Sequence, residues 1–547
     1  MKYDPKNKTS MEKELIRTGL WAGLALLLAC GSCSKSEDGE SGSGGAGSVE
    51  GLEVTVTPDR ESVLRNPFSG WVLYAGLGDG LADDYWEQYD RLECPSVPEG
   101  YVKVSDYASM LLIRIRWADA NPERGVYIWD EGVNTKQAQR LRLLMEGAEE
   151  RGLKLVFNFT ADSRDFTYQM VPEYVREEIE AAGREVYWSK NGATDLWTPY
   201  PDDPAFQECY AEFMRAFAAK FDDPDITAFI GGFGIGLWGE YHSCIYSTGD
   251  DSPREAVFDW VTNLWNETFK NVPIAVQVHR WIGTKTQWDE DKYDPDSERL
   301  IQKAVDMGFS MQSAAFGMHT YFSTWEKSML QKNRYLRPIA SEGGWVRKHG
   351  ISAIQGDGYS DWGDVRRGEY EDAIGSCVNT MDFRYNRNIT ESETWSWFNE
   401  AYEYVLKFIR EGCYRLYPDR LTLPETLTNG SKATLAHRWV NLGYSYCPTN
   451  IPQYHDKYKV AFALLDPETK QPVKLYFDEQ AQPCDWHKGA RTQYTFTFDV
   501  GTVAAGNYKW AVGIVDTSKQ NEIGIRLAAK DRVTPDGWVE LSDVRVE

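Results

Sequence analysis

The chain has 547 residues and a formal net charge of −24, with 83 Asp and Glu against 59 Lys and Arg. That balance repels a phosphate backbone or an anionic lipid face and argues against a nucleic acid partner. The length exceeds one ordinary core and points to two domains plus a non-globular segment.

The first residues set an expected compartment. Lys13 and Arg17 precede LWAGLALLLA (20–29), an apolar run that fits a signal h-region and falls short of the roughly 20 residues a bilayer span requires. Leu27-Leu28-Ala29-Cys30 looks like a lipobox, with Cys30 as the lipid acceptor and Cys33 as the alternative. The Ser/Gly-rich tract SKSEDGESGSGGAGS (34–48) follows as a flexible tether, and its acidic cluster resembles the surface-export signal of some Gram-negative lipoproteins. The expected organisation is a signal segment over 1–30 and a linker over 31–50. The mature protein is then expected to be lipid-anchored at the bacterial outer membrane or cell surface, or facing the periplasm, and to meet the membrane only through that anchor.

From 51 to 412, short apolar runs alternate with helical stretches. Strands are expected at GWVLY (70–74), MLLIRIRW (110–117), LKLVFNF (153–159), ITAFIGGFGIGLW (226–238), PIAVQVHRW (273–281), FSMQSAAF (309–316), RPIASE (337–342) and FRYNRN (383–388). Helices are expected over 135–151, 204–221, 253–270 and 395–411. Eight strands interleaved with helices predict a (β/α)8 TIM barrel of the α/β class. After residue 413 the pattern changes to period two: KVAFALLD, VKLYFD, TQYTFTFDV, YKWAVGIVD, IGIRLA and WVELSDVRV predict an all-β sandwich over 413–547. Its aromatics Trp486, Tyr494 and Trp510 follow that alternation and read as core. The seven cysteines beyond Cys33 show no CxxC and no Cys/His zinc spacing, so neither a disulfide framework nor a metal site is implied. One local bridge, Cys447 to Cys484, is compatible with the spacing, and no cofactor is called for.

GFGIGLWGEYH (232–242) contains a G-x-G-x-x-G at Gly234, Gly236 and Gly239. A dinucleotide cradle needs that turn to end a strand and open a helix, with an acid about 20 residues on. Read instead as one continuing strand, Gly232, Gly234, Gly236, Trp238 and Glu240 share a face, with Phe233, Ile235 and Leu237 on the other. The glycine row would line the barrel interior, and the same face would carry Trp238 and Glu240 to its C-terminal mouth. By the same parity Pro338, Ala340 and Glu342 share a face, and Arg114 and Arg116 point inward, opposite Leu111, Ile113 and Ile115. Buried guanidiniums need carboxylates, so these arginines either serve the two glutamates or form a salt-bridge layer inside the barrel.

Two acids topping the fourth and seventh strands invite glycosidase chemistry, in which one carboxyl donates a proton and the other attacks. The barrel resembles glycoside hydrolase clan A, and that resemblance implies Glu240 as acid/base and Glu342 as nucleophile. RIRWADANPERGVYIWD (114–130), with its P-x-x-G-x-Y-x-W stretch, is similar to the clan's second-strand segment and implies that Arg114 steadies the nucleophile. The layout of lipoprotein start, WGE barrel and β-domain with NLGYS (441–445) and IRLA (525–528) looks like a domain-of-unknown-function family of secreted bacterial polysaccharide-utilisation proteins. One position departs: the clan's asparagine before the acid/base, which binds the sugar 2-hydroxyl, is Gly239 here. Asn158, His242 or His279 could replace it, and Trp281, Trp345 and Trp397, at predicted strand ends or loops, could form a sugar platform. Tryptophan, present 21 times, suits stacking on sugar rings. The expected partner is thus an oligo- or polysaccharide. A non-catalytic glycan-binding lipoprotein and a structural envelope protein are the competing readings.

Overall fold

The computed structural model describes residues 49–77, 81–289, 291–384 and 392–547. The signal segment, Cys30, Cys33 and most of the linker lie outside them.

Eight parallel strands close into a barrel. They are β1 (Gly70–Gly76), β2 (Ala108–Arg116), β3 (Lys154–Thr160), β4 (Thr227–Gly231), β5 (Ile274–Gln277), β6 (Ser310–Phe316), β7 (Ile339–Gly343) and β8 (Thr380–Asp382). The period-two alternation decides which side chains go where. Val72, Tyr74, Met110, Leu112, Val156, Ala228, Ala275 and Ala340 fill the interior, closed at the base by Phe68 stacked on Phe229 at 4.4 Å. The intervening residues, among them Leu73, Leu111, Ile113, Ile115 and Phe157, pack outward against the helices. Lys136–Glu150 is capped by Thr135, and Pro204–Phe221 starts with Pro at its first position behind an Asp203 cap, both standard helix openings.

Three expected elements are corrected. The fourth strand ends at Gly231 rather than Trp238, because the chain turns left-handed at Gly232. The eighth strand is Thr380–Asp382, upstream of FRYNRN, of which residues 385–388 lie outside the described part. The helix expected over 395–411 is broken where Ala401 leaves helical geometry (φ −148°, ψ 29°), giving Glu393–Glu400 and then Tyr402–Lys407, which runs on into a π-helical turn over Phe408–Gly412.

The C-terminal strands form two sheets. One orders Leu52–Thr55, Leu416–Leu423, Lys432–Asn441 and Arg491–Asp499; the other is built around Gly506–Asp516, flanked by Val539–Val546 and Tyr458–Leu465. A common core from both sheets, with Trp439 stacked on Trp486 at 4.4 Å and Trp510 fully buried, makes this a sandwich. The first strand after the linker, Leu52–Thr55, thus pairs with the sandwich and not with the barrel. Asn441 of NLGYS accepts from the Arg415 and Gly443 N–H groups and donates to the Ser445 and Trp486 carbonyls. Arg526 of IRLA exchanges backbone hydrogen bonds with the Asn66 side chain beside the barrel base. Both motifs therefore do structural work. Cys447 and Cys484 are free thiols.

Candidate active site

After β4 the chain makes a compact excursion to Glu240. Leu237 N–H donates to His242 O at 2.8 Å and Tyr241 N–H to Ile235 O at 2.8 Å, so residues 235–242 fold back as a tight hairpin. Left-handed backbone recurs through it, at Trp238 (φ 57°), Gly239 (φ 81°) and Tyr241 (φ 56°) among others. The glycines therefore serve turning and close approach rather than a continuous strand face. A Cβ at Gly231 would stand closer than 3.0 Å to the side-chain amide groups of Gln312 and Asn158. A Cβ at Gly239 would stand closer than 3.0 Å to the Phe159 carbonyl oxygen and 3.3 Å from the Gly234 Cα. A side chain therefore has no room at this position. No helix opens until Arg254, so the G-x-G-x-x-G lacks the helix N-terminus a phosphate needs.

Glu240 sits at the hairpin tip with its side chain 13% exposed. The Tyr321 hydroxyl, from the loop after β6, donates to it, and His242 Nε2 lies 3.4 Å away. Burial pushes the Glu240 carboxyl up, but His242, Arg114 and Tyr321 more than offset this and hold it below the ordinary carboxylate range. His242 is anchored through Nδ1 to Thr286 Oγ1 at 2.7 Å and stacks on His279 at 4.3 Å. Tyr321 is itself held from beneath. The buried Arg280 donates to the Tyr321 and Thr320 carbonyls at 2.8 Å and pairs with the buried Glu326 at 3.1 Å, while Glu326 closes a capping box with Ser323.

Glu342 ends β7 facing the same mouth. Arg384 bonds it at 2.7 Å, and Arg114 reaches to 3.9 Å. Arg114 also donates to the Trp238 carbonyl at 2.6 Å and to the Tyr74 hydroxyl at 3.1 Å, tying the strand-four hairpin to the strand-seven acid. Burial works against the Arg114 cation, but Tyr74 and the charges of Glu342 and Glu240 outweigh it and keep the guanidinium charged. Asp382 of β8 adjoins Glu342; burial first, and then the Glu342 charge, push its carboxyl well above the ordinary range.

An aromatic rim flanks this centre. Trp288, 54% exposed, lies 5.5 Å from the Tyr321 ring and 6.2 Å from that of Trp238, whose Nε1 donates to Asp165 at 2.9 Å.

Several expected site residues lie elsewhere. Arg116 forms a bidentate pair with Asp119 at 2.5 and 2.9 Å and stacks over Tyr168, because that acid stands one helical turn away and nearer than either glutamate. Asn158 joins an amide layer inside the barrel, donating to Gly231 O and accepting from Gln312. His242 and His279 are fully enclosed: His242 lies against Glu240 at 3.4 Å and so belongs to the site from within, whereas His279 stacks on His242 and does not reach the glutamate. Trp281, Trp345 and Trp397 are all buried: Trp345 donates to Asp357, and Trp397 packs edge-on against Trp71 at 4.9 Å in the outer wall. The rim ring is Trp288 instead. Sequence reasoning also missed Tyr321, Arg280, Asp382 and Arg384. Extending the strand parity from Thr380 through Asp382 to Arg384 would have found the last two, whereas a tyrosine in the loop GMHTYFS carries no periodic signal. Among the described residues no group of three or more His, Cys, Asp or Glu could hold a metal ion.

No family model matches the chain, and no curated protein matches it either. Among solved structures it is similar to an exo-β-1,4-mannosidase from Opitutaceae bacterium strain TAV5, at 11% identity over 62% of this chain and 59% of that one, with a TM-score of 0.35. It is also similar to endo-glycoceramidase II from Rhodococcus sp., at 12% identity over 80% of this chain and 100% of that one, with a TM-score of 0.35. A third is a GH30 endoxylanase from Clostridium papyrosolvens C71, at 10% identity over 82% of this chain and 95% of that one, again with a TM-score of 0.35.

Proposed function

We propose that this chain is a glycoside hydrolase acting on a complex carbohydrate, with Glu342 as nucleophile and Glu240 as acid/base. The observation that carries the reading is that one guanidinium, Arg114, reaches Glu342 of β7 at 3.9 Å and holds the hairpin after β4 through the Trp238 carbonyl, so that the charges of both Glu342 and Glu240 act on it at the C-terminal mouth of the barrel, where such enzymes do their chemistry. Glu342 would attack the anomeric carbon while Glu240 protonates the leaving oxygen; Glu240 would then take a proton from the water that releases the glycosyl group. Arg114 and Arg384 would offset the nucleophile's charge and fix its direction. Trp288 and Trp238 would supply the apolar face on which a sugar ring rests. Placement at the outer membrane or cell surface, through a lipid on Cys30, completes the proposal and rests on the sequence alone.

One observation favours a second reading, glycan binding without cleavage. An acid catalyst must carry its proton when the substrate arrives, yet Glu240 is held below the ordinary carboxylate range by His242 and Tyr321. The hydrolase reading therefore requires the bound sugar to weaken the hold of His242 above all, and then of Arg114 and Tyr321, so that Glu240 takes up a proton. A glycan-library screen with the wild type, Glu240→Gln and Glu342→Gln separates the two. Cleavage by the wild type that both variants lose supports the enzyme; retained affinity with no cleavage by the wild type establishes the binder.

A further inference from the structure

Asp382 is an acid that the scheme above does not use. β7 and β8 pair in parallel with Ala340 opposite Thr380, so two residues on, Glu342 and Asp382 are lateral neighbours on the same inward face, about 4.8 Å apart in the backbone. Like charges placed side by side in that position repel. The cations nearby are already committed. Arg384 bonds Glu342 and the Gly343 carbonyl, and Arg114 spans Glu342 and the Trp238 carbonyl. Two guanidiniums thus serve Glu240 and Glu342, and among the described residues none forms an ion pair with Asp382, on which Arg384 acts only from beyond bonding distance. Asp382 meets instead the Gly343 N–H, which donates to its Oδ1 at 2.9 Å, while its Oδ2 is buried with no hydrogen-bond partner among the described residues. Beyond Glu342, the charged groups acting on it are Arg384, which favours its ionisation, and Glu369, from the helix Trp362–Gly375, which opposes it and is itself paired with Arg366 at 2.7 Å. A bare carboxylate oxygen sealed in such a place is costly, whereas a neutral acid is tolerated.

We infer that Asp382 is a positioning residue for Glu342: a neutral acid lodged beside it that leaves a single negative charge on that side of the mouth and braces the Gly343 turn from which Glu342 projects. It acts through Glu342 and, being sealed from the mouth, does not touch the substrate. The upward displacement of its ionisation, caused by burial and then by Glu342, agrees with this. The functional consequence rests on the hydrolase reading, since a nucleophile beside a second carboxylate would be pushed off its line of attack once Asp382 loses its proton.

The test is infrared difference spectroscopy of the full chain across pH, which reads the carbonyl stretch of protonated carboxyl groups and needs no substrate. Subtracting Asp382→Asn from the wild type should leave a protonated-carboxyl band that persists at neutral pH, and in Glu342→Gln that band should disappear at a lower pH than in the wild type. Asn is the size of a neutral Asp and can still accept from Gly343 N–H, so the variant should fold; unchanged far-ultraviolet circular dichroism checks this. No such band in the difference, or a band whose titration ignores Glu342→Gln, overturns the inference. On a glycan the wild type cleaves, Asp382→Asn should lose less than the roughly 100-fold that removing a proton-transferring group costs. It should also keep its activity at alkaline pH where the wild type declines; an unaltered alkaline limb counts against the inference. If the wild type cleaves nothing while the spectra behave as expected, the hydrolase reading fails and the Asp382–Glu342 pairing stands.

Discussion

Replacing Gly239 by asparagine should damage this protein rather than improve it. At φ 81° the backbone is left-handed, and a non-glycine residue held there costs on the order of 1 kcal/mol, with Asn among the least penalised. The new Cβ would also stand inside contact distance of the Phe159 carbonyl oxygen and 3.3 Å from the Gly234 Cα, both backbone atoms that cannot swing aside. Overpacking of that kind adds roughly 1–3 kcal/mol, so Gly239→Asn should cost about 2–4 kcal/mol in all. The hairpin can relieve the clash only by lifting its tip, which would draw the Trp238 carbonyl from Arg114 and Glu240 from Tyr321. Guanidinium denaturation followed by tryptophan fluorescence reads the loss, with Gly239→Ala as the control because it carries the same Cβ and should be destabilised comparably. A Gly239→Asn protein as stable as the wild type, or more active on a cleaved glycan, would refute the reasoning.

Glu326→Gln should destabilise by about 3–5 kcal/mol, because it strands the buried Arg280 cation. It should also lower activity by loosening Tyr321, and a denaturation midpoint equal to that of the wild type would count against that role. Trp288→Ala should leave stability within about 0.5 kcal/mol, since the ring is half exposed, yet weaken glycan binding by about 1.5–3 kcal/mol in calorimetry. Glu240 ionises below its ordinary value in the fold, so its stabilising contribution is present above the unfolded value and lost as pH falls through the lower folded value. The stability gap between the wild type and Glu240→Gln should therefore narrow on acidification through that window; a gap that is flat or widens contradicts the assigned partners.

Alternation alone delivered most of the barrel. MLLIRIRW sorts Leu111, Ile113 and Ile115 outward and sends Arg114 to the mouth, and RPIASE sends Glu342 there, because a strand buried on both faces still obeys period two. The same rule failed at Gly232, where a residue without Cβ let the chain leave the extended region; Glu240 reaches the mouth on a hairpin instead of a strand. β8 was misplaced because Thr380–Asp382 is three residues long and two of them are polar, so it carries no hydrophobic run. The tryptophans misled for a different reason. Trp281 and Trp345 follow strands, Trp288 lies in a loop and Trp397 sits inside the helix Glu393–Glu400, and only tertiary packing decides which ring stays at the surface. Arg116 shows the same limit, since its choice of Asp119 over the glutamates is settled by local reach.

The central claim, that Glu342 attacks a glycosidic carbon while Glu240 serves the leaving group, is tested most directly by trapping the intermediate. The full chain would be incubated with a 2-deoxy-2-fluoro glycoside of the sugar found in the screen, carrying an activated leaving group, and analysed by peptide mass spectrometry. One glycosyl unit should appear on the peptide containing Glu342, accumulate on full-length protein, and be absent from Glu342→Gln. A label on any other carboxyl, or an undiminished label in Glu342→Gln, would contradict the account.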